Sequence, residues 1–398
     1  MPKSSSPQSA TGWAKRLLKW LLIFILIFVV YVVGSILHGT FTEFQPTERI
    51  ALKVEGGSSL AVVDTEELSF VNWNIGYAGL GQESNFFYDD NRFFFSGGKM
   101  VRPTEALSKK NLQGILDFLK ANPTDFILLQ EVDSASTRSY FVNQYDILGD
   151  LNVQYSRSFA TNFKVSRVPL PLCEPWHVMG QMHSGLASYS RYQPSQADRL
   201  QFPGEFPWPS RIFNLDRCML IQRYKTVHPQ GKELIVINTH NSAYDDGSLK
   251  AQEMAYFKKV AEEEYAKGNY VIVGGDWNQC PPNFYYTQLM PNNPDSAGYK
   301  TFSIAPDFMA KDWQWVYDPK VATNRKLVDT FVVDKTFTTL IDFYLVSPNV
   351  EVLEVRTQDL KFAYSDHQPV FARFRLKGLK PQIELGDSLS VNSQGVKK

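Results

Sequence analysis

Residues 270–278 read YVIVGGDWN, an uncharged run rich in Val, Ile and Tyr that closes on Asp276 and Asn278. The run has the composition of a short strand. Its end carries a carboxylate and an amide of the kind catalysis uses. The same form recurs along the chain. Asn74 follows the apolar run in FVNWNIG, Glu131 ends ILLQEV, and Asn238 and His240 end IVINTH. Asp342 opens IDFYLVS, and Asp366 and His367 precede a further run in YSDHQPVF. Singly, each has a plainer reading, because Asn and Asp punctuate turns and a lone His is usually a surface or satisfied core residue. Six such ends in one chain, supplying carboxylates, amides and two histidines, are poorly explained as turns.

Around these ends, candidate strands cover Leu68–Ile75, Phe126–Val132, Glu233–Thr239, Tyr270–Gly275, Ile341–Val346 and Pro369–Leu376. Thr104 can cap a helix to about Ala121, with Leu112, Ile115, Leu116 and Leu119 on one face. Ser248 can cap another, closed by Gly268. Strands outnumber helices and come in runs, so two packed sheets flanked by helices is the expected α/β layering. Two stretches read as insertions: Gly79 to Met100, with FFYDDNRFFFSGG, and Val165 to His183, with RVPLPLCEPWHVMGQMH. Long ordered loops often carry function. The alternative is that their aromatics cover sheet edges.

The N-terminal part is of another kind. Trp20 to Leu37 reads WLLIFILIFVVYVVGSIL, uncharged and apolar on every face, long enough for a membrane helix. Lys3, Lys15, Arg16 and Lys19 precede it, whereas Glu43, Glu48, Arg49 and Lys53 are mixed after it. The positive-inside rule puts the N-terminus in the cytoplasm and the rest outside, periplasmic or extracellular. No A-x-A-like site follows the run, so an uncleaved anchor is expected over a signal peptide. The expected organisation is a basic segment 1–19, a transmembrane helix 20–37, a stalk 38–60 with strand-like pieces, a catalytic domain 61–377 and a polar tail 378–398.

Lys plus Arg and Asp plus Glu number 41 each, so the 398-residue chain has no basic excess to favour nucleic acid. Cys173, Cys218 and Cys280 lack C-x-x-C spacing, which gives zinc no support. Idle or buried thiols are expected, with one disulfide as the alternative.

The strand-end residues suit hydrolysis of phosphate esters. Glu131 and the Asn74 side chain can offer oxygen to a hard divalent cation, which neutralises phosphate charge and stabilises the leaving oxygen. Asp276 and His367 are candidates for aligning an attacking water. Asp342 can fix the tautomer of His367 and stabilise its protonated form. Asn278 and His240 can stabilise the anionic transition state.

In order, WNIG, LLQE, NTH, GGDWN, IDFYLVS and SDHQPV resemble the motif series of the endonuclease/exonuclease/phosphatase superfamily, from about Leu68 to Leu376. The resemblance implies a four-layered α/β sandwich with a Mg²⁺ site, Mn²⁺ being a substitute, at the edge between its sheets. It implies metal binding by Asn74 and Glu131, with Asp366 supporting the metal or its water. Asp276 and Asn278 would orient nucleophile and phosphate, and His367 would be the catalytic histidine, partnered by Asp342. His240 is similar to the branch containing deoxyribonuclease I, neutral sphingomyelinases and inositol-polyphosphate 5-phosphatases. Gly76 departs from endonuclease members that carry an acidic residue there, and Asn241 replaces the usual Leu.

The expected activity is hydrolysis of a phosphodiester or phosphomonoester. A lipid or phosphorylated head group is favoured, because an anchored domain meets head groups at high effective concentration. Phe86, Phe87, Tyr88, Phe93, Phe94 and Phe95 could flank the site mouth. The alternatives are a nuclease of deoxyribonuclease I type and a catalytically inactive binding module of the same fold. Beyond substrate and membrane, no protein partner is implied.

Overall fold

The computed structural model describes residues 8–151, 154–243, 247–289 and 302–379. The first part of the basic N-terminus, 1–7, and residues 380–398 of the polar tail lie outside the described residues.

Two seven-stranded sheets pack face to face. The first runs in the order β1 (Arg49–Ala51), β7 (Gln196–Gln201), β8 (Cys218–Lys225), β9 (Glu233–His240), β10 (Tyr270–Asp276), β14 (Asp342–Val346), β11 (Gln314–Val316). The second runs β15 (Val350–Thr357), β16 (Val370–Leu376), β3 (Glu67–Asn74), β4 (Phe126–Asp133), β6 (Gly180–Ser190), β5 (Ser156–Val168), β2 (Glu55–Gly56). A short pair, β12 (Asn324–Arg325) and β13 (Thr338–Thr339), stands apart. Neighbours are antiparallel except near the centre of each sheet, where β9 runs parallel to β10 and β3 parallel to β4. Both sheets are therefore mixed.

Alternation along the strands builds the layers, because residues two apart share a face. Phe70, Phe126, Leu128, Leu234, Val236, Tyr270 and Ile272 form the core between the sheets. Their odd neighbours face outward. Val71, Trp73, Ile127 and Leu129 meet Leu112, Ile115 and Leu119 of α2 (Glu105–Ala121), with Tyr145 and Leu148 of α3 (Gln144–Gly149) joining them. Ile235, Ile237, Val271 and Val273 meet Met254, Phe257 and Ala261 of α4 (Ser248–Ala266). The result is the four-layered α/β sandwich anticipated above. Thr104 caps α2, its hydroxyl accepting from Leu107 N at 3.2 Å. In α4 the cap position falls instead on Gly247, at φ 102°, and Ser248 is the first helical residue.

The N-terminal helix α1 (Gln8–Phe41) contains, from Gly12 onward, a stretch long and apolar enough to cross a membrane. It continues past Leu37 and ends against the domain. His38 Nε2 lies 3.0 Å from Ser166 Oγ, Trp208 Nε1 donates to Thr40 Oγ1 at 3.1 Å, and Arg211 pairs with Glu43 at 2.9 Å. A Cβ on Gly39 would lie 3.0 Å from Ile212 Cδ1 and 3.1 Å from a Phe213 ring carbon, so the helix end packs closely against both side chains. Residues 38–60, read from sequence as a stalk, lie along the domain: β1 pairs with β7 and β2 with β5. All three cysteines are free thiols.

Candidate active site

The alternation that builds the core also delivers the polar residues. The parallel strands β3, β4, β9 and β10 all end at one edge of the sandwich. β14 and β16, antiparallel to β10 and β3, begin there. Along the inner face, Phe70 is followed by Asn72 and Asn74, Val236 by Asn238 and His240, and Ile272 by Gly274 and Asp276. The apolar core gives way to polar side chains at the same height on each strand. On the last rung His240, Asp276 and Asp342 are register partners across three adjacent strands.

A layer of amides separates core from site. Gln130 Nε2 donates to Asn72 Oδ1 (2.9 Å) and to Asn238 Oδ1 (2.7 Å), and Asn72 Nδ2 donates to Gly275 O across the sheets (3.1 Å). Asn238 Nδ2 donates to the carbonyls of Leu129 and Ala187, each at 3.1 Å. Asn238 thus belongs to this floor rather than to the cleft above it. These bonds tie the two sheets together, although Gln130 Oε1 is buried without a partner among the described residues.

Glu131 breaks the alternation. Continued from Ile127 and Leu129, it would face α2. Instead the register of β4 against β6 shifts between Leu129 and Val132, and Glu131 takes φ 52°. The bulge turns its carboxylate into the cleft. A left-handed residue of this kind costs on the order of 1–2 kcal/mol and is a feature of functional sites. Asn278, at φ 49°, is held similarly, its Nδ2 donating to Asn241 O at 2.9 Å.

Asn74 joins the two halves of the site. Its Nδ2 donates to Asp276 Oδ2 (3.0 Å) and Glu131 Oε1 (3.2 Å), while its Oδ1 accepts from Gly76 N (3.0 Å), which sets the amide orientation. In that orientation nitrogen, not oxygen, faces the two carboxylates. Gly76 has φ 49°, and a Cβ there would lie 2.8 Å from Asp366 Oδ1. The glycine that departs from the endonuclease pattern therefore leaves room for Asp366.

The two histidines are tuned in opposite directions. His367 Nδ1 is 2.8 Å from Asp342 Oδ2, and its Nε2 is 3.8 Å from both Asp276 Oδ2 and Asp366 Oδ2. Burial disfavours its charge, but Asp342, Asp366 and Asp276 outweigh burial and hold its pKa well above the usual imidazole value. His240 Nε2 is 3.4 Å from Asp276 Oδ2, yet burial, with Arg217 and His367 adding repulsion, keeps its pKa well below the usual value. Burial pushes Asp342 up to about 6 and Asp366 to about 7, with His367 opposing both.

Asp276 sits at the centre. Its Oδ1 accepts from Asn278 N at 2.9 Å and its Oδ2 faces Asn74 and both histidines. Asp276, Asp342 and His367 offer ligand atoms within 4.8 Å of one another. His367 Nδ1 is already engaged by Asp342, so this group is better described as an acid–histidine pair beside a second carboxylate. Glu131 and Asp366, whose pKa is raised first by burial and then by the like charge of Glu131, are the all-oxygen alternative that suits a hard cation.

Two further residues enter the site without having been singled out from sequence. Asn324 in β12 puts its Nδ2 3.0 Å from His367 Nε2; a protonated ring donates at both nitrogens, and the amide then presents its oxygen instead. Arg217 immediately precedes β8, which is antiparallel to β9 and so begins at the same edge. Its Nη1 is buried without a hydrogen-bond partner among the described residues. Arg217, His240, Asp276, Asp366 and His367 all line one cavity of about 490 Å³. The insertions form its outer wall: Phe86 and Tyr88 from the first, Val168, Leu170 and Met179 from the second. Phe87 is fully buried, whereas Phe94 and Phe95 are each 61% exposed.

Two packed mixed sheets with carboxylates and histidines gathered at one shared edge define a class of α/β hydrolases that act on phosphoester bonds. The chain belongs to the endonuclease/exonuclease/phosphatase family, whose model matches residues 71–367. Among solved structures it is similar to an endonuclease/exonuclease/phosphatase from Beutenbergia cavernae DSM 12333, at 16% identity and TM-score 0.51 over 78% of this chain and 72% of that one. It also aligns with ANGEL2, a 2',3'-cyclic phosphatase (17% identity, TM-score 0.48, 84% and 100% covered). The human nocturnin catalytic domain aligns at 16% identity and TM-score 0.47, with 82% and 98% covered. The first likeness is one of fold. Comparison with curated protein sequences gives no match.

Proposed function

We propose that the protein is a membrane-anchored hydrolase of phosphate esters that uses Mg²⁺, or Mn²⁺ in its place, and cleaves by in-line attack of water. One observation carries the reading: Asp276, flanked by His240 and Asp342 on one rung, faces the bulged Glu131 through the shared Asn74 amide. A turn-forming role would require none of these side chains to converge.

Glu131 and Asp366 would hold the cation, whose chemistry is to neutralise phosphate charge and stabilise the leaving oxygen. Both are carboxylates lining the cavity, and Gly76 leaves the space between β3 and Asp366 open. Asn74, as oriented here, serves better by locking Glu131 and Asp276 in place than as a ligand. Asp276 aligns the attacking water. His367, steadied by Asp342, exchanges a proton at Nε2. Neutral His240, Asn278 and Arg217, whose Nη1 has no partner among the described residues, surround the phosphoryl oxygens and stabilise their growing charge.

A lipid or phosphorylated head group is the favoured substrate. The cavity is walled by Phe86, Tyr88, Leu170 and Phe213, and Phe213 also packs on Gly39 at the end of α1. The interlocked helix end likewise favours an uncleaved anchor, with the N-terminus in the cytoplasm and the domain outside. The test is release of p-nitrophenol from bis-p-nitrophenyl phosphate by the full chain in detergent. Activity should be lost in EDTA and restored by Mg²⁺. Parallel assays on liposomal phospholipid and plasmid DNA rank the substrates, and nicking of DNA with no lipid turnover would reverse the order. Absence of any hydrolysis would leave the inactive binding module as the better description.

A further inference from the structure

A second cleft, of about 340 Å³, lies at the foot of α1 and is lined in part by His38, Arg102, Thr137, Ser166, Arg167 and Trp176. It shares no lining residue with the catalytic cavity. We infer that this cleft binds the phosphate of an anionic phospholipid head group and so fixes how the domain sits on the bilayer. The inference rests on α1 being a retained membrane span.

Height is the first argument. The apolar run ends at Leu37, and an α-helix rises about 1.5 Å per residue. The head-group layer adds roughly 5–7 Å outside the hydrocarbon on each side. His38 to Phe41 therefore cross that layer, and the cleft opens beside His38.

Charge is the second. Arg102, Arg167 and His38 are its ionisable lining groups, and no acidic residue lines it. Arg102 makes no ion pair or side-chain hydrogen bond among the described residues. Arg167 uses Nη2 on Pro175 O at 2.9 Å, which braces the guanidinium and leaves other N–H groups free. Guanidinium groups match phosphate oxygens in a two-point contact. Ser166 Oγ, shared with His38 Nε2 (3.0 Å) and Thr42 Oγ1 (2.6 Å), ties the cleft wall to the helix.

The rim supplies the third. Trp176 is 80% exposed, and Trp208, hydrogen-bonded to Thr40, is 56% exposed beside the same helix end. Exposed indoles are costly in bulk water but suit the membrane interface.

The experiment uses the full chain in detergent with EDTA, so that turnover plays no part, and counts retained lipid by native mass spectrometry. With phosphatidylglycerol and phosphatidylcholine supplied equally, the anionic lipid should be retained preferentially. Arg102→Gln with Arg167→Gln should weaken that retention about tenfold or more, and the corresponding Lys pair should keep most of it. Equal retention of both lipids overturns the inference, as does retention untouched by the Gln pair in a protein of unchanged melting temperature. Full displacement by millimolar inorganic phosphate would make this a site for soluble anions and overturn the lipid assignment. The intact mass reports whether α1 is present, so loss of the anchor is distinguished from failure of the cleft.

Discussion

Nδ1 of His367 stands 2.8 Å from Oδ2 of Asp342, and both side chains are almost wholly buried. In this pairing the carboxylate decides which ring nitrogen points at the cleft and stabilises the charged ring. Asp342→Asn keeps the shape but removes the charge. Turnover on bis-p-nitrophenyl phosphate should fall about ten- to a hundredfold. His367→Ala, His240→Ala and Asp276→Asn should each cost more, with circular dichroism unchanged. An Asp342 variant as fast as wild type would mean that the pair is only structural.

Glu131→Gln should lower activity by orders of magnitude at low Mg²⁺, with partial recovery at high metal, because an amide oxygen is a weaker ligand for a hard cation. Titration calorimetry with Mn²⁺ should give a correspondingly weaker affinity. Unaltered affinity would remove Glu131 from the metal site.

Arg217→Ala should raise KM about tenfold or more while lowering kcat less, since a guanidinium that holds a phosphoryl oxygen contributes to binding in both ground and transition states. Steady-state kinetics on a soluble phosphodiester measures the split. A pure kcat effect would place Arg217 in the transition state alone.

Away from the cleft, Glu264 should make the fold sensitive to acid. Burial alone would raise its pKa, but hydrogen bonds from Arg223, Lys267 and Asn269 outweigh burial and hold it at about 2. A depressed folded value means stability that is fully present above the unfolded pKa, near 4.5, and lost as pH falls from there towards 2. Thermal melts of wild type and Glu264→Gln should differ by on the order of 1–2 kcal/mol at neutral pH, and the gap should narrow below about pH 4.5 and close as pH approaches about 2. A gap that persists in acid would mean that the substitution acts through packing.

What could be read from the sequence follows the range of the interactions involved. The inward aim of His240 and Asp276 is a matter of parity within one strand, so the alternation of Val236, Asn238, His240 and of Ile272, Gly274, Asp276 already contains it. Glu131 could be named but not aimed, because its direction depends on a bulge set by pairing with β6. The orientation of the Asn74 amide likewise depends on Gly76 N. Arg217 and Asn324 escaped notice because nothing local marks them. Arg217 does stand just before a strand antiparallel to β9, a position equivalent to that of Asp366 before β16, and that rule would have found it. Residues 38–60 looked like a stalk because β1 and β2 are too short to carry a pattern, and their partners lie far along the chain.

The seating of Gly39 against Ile212 and Phe213, together with the hydrogen bonds at Ser166 and Trp208, means that no slack separates α1, the proposed anchor, from the domain. A domain on a flexible leash samples a hemisphere of solution, and its rate follows bulk substrate concentration. One riveted to its helix keeps a constant altitude and can only spin about the membrane normal and drift sideways. Its turnover then responds to the number of substrate molecules per unit of membrane area. Diluting substrate within the bilayer should slow it, whereas adding more vesicles of unchanged composition should not quicken it.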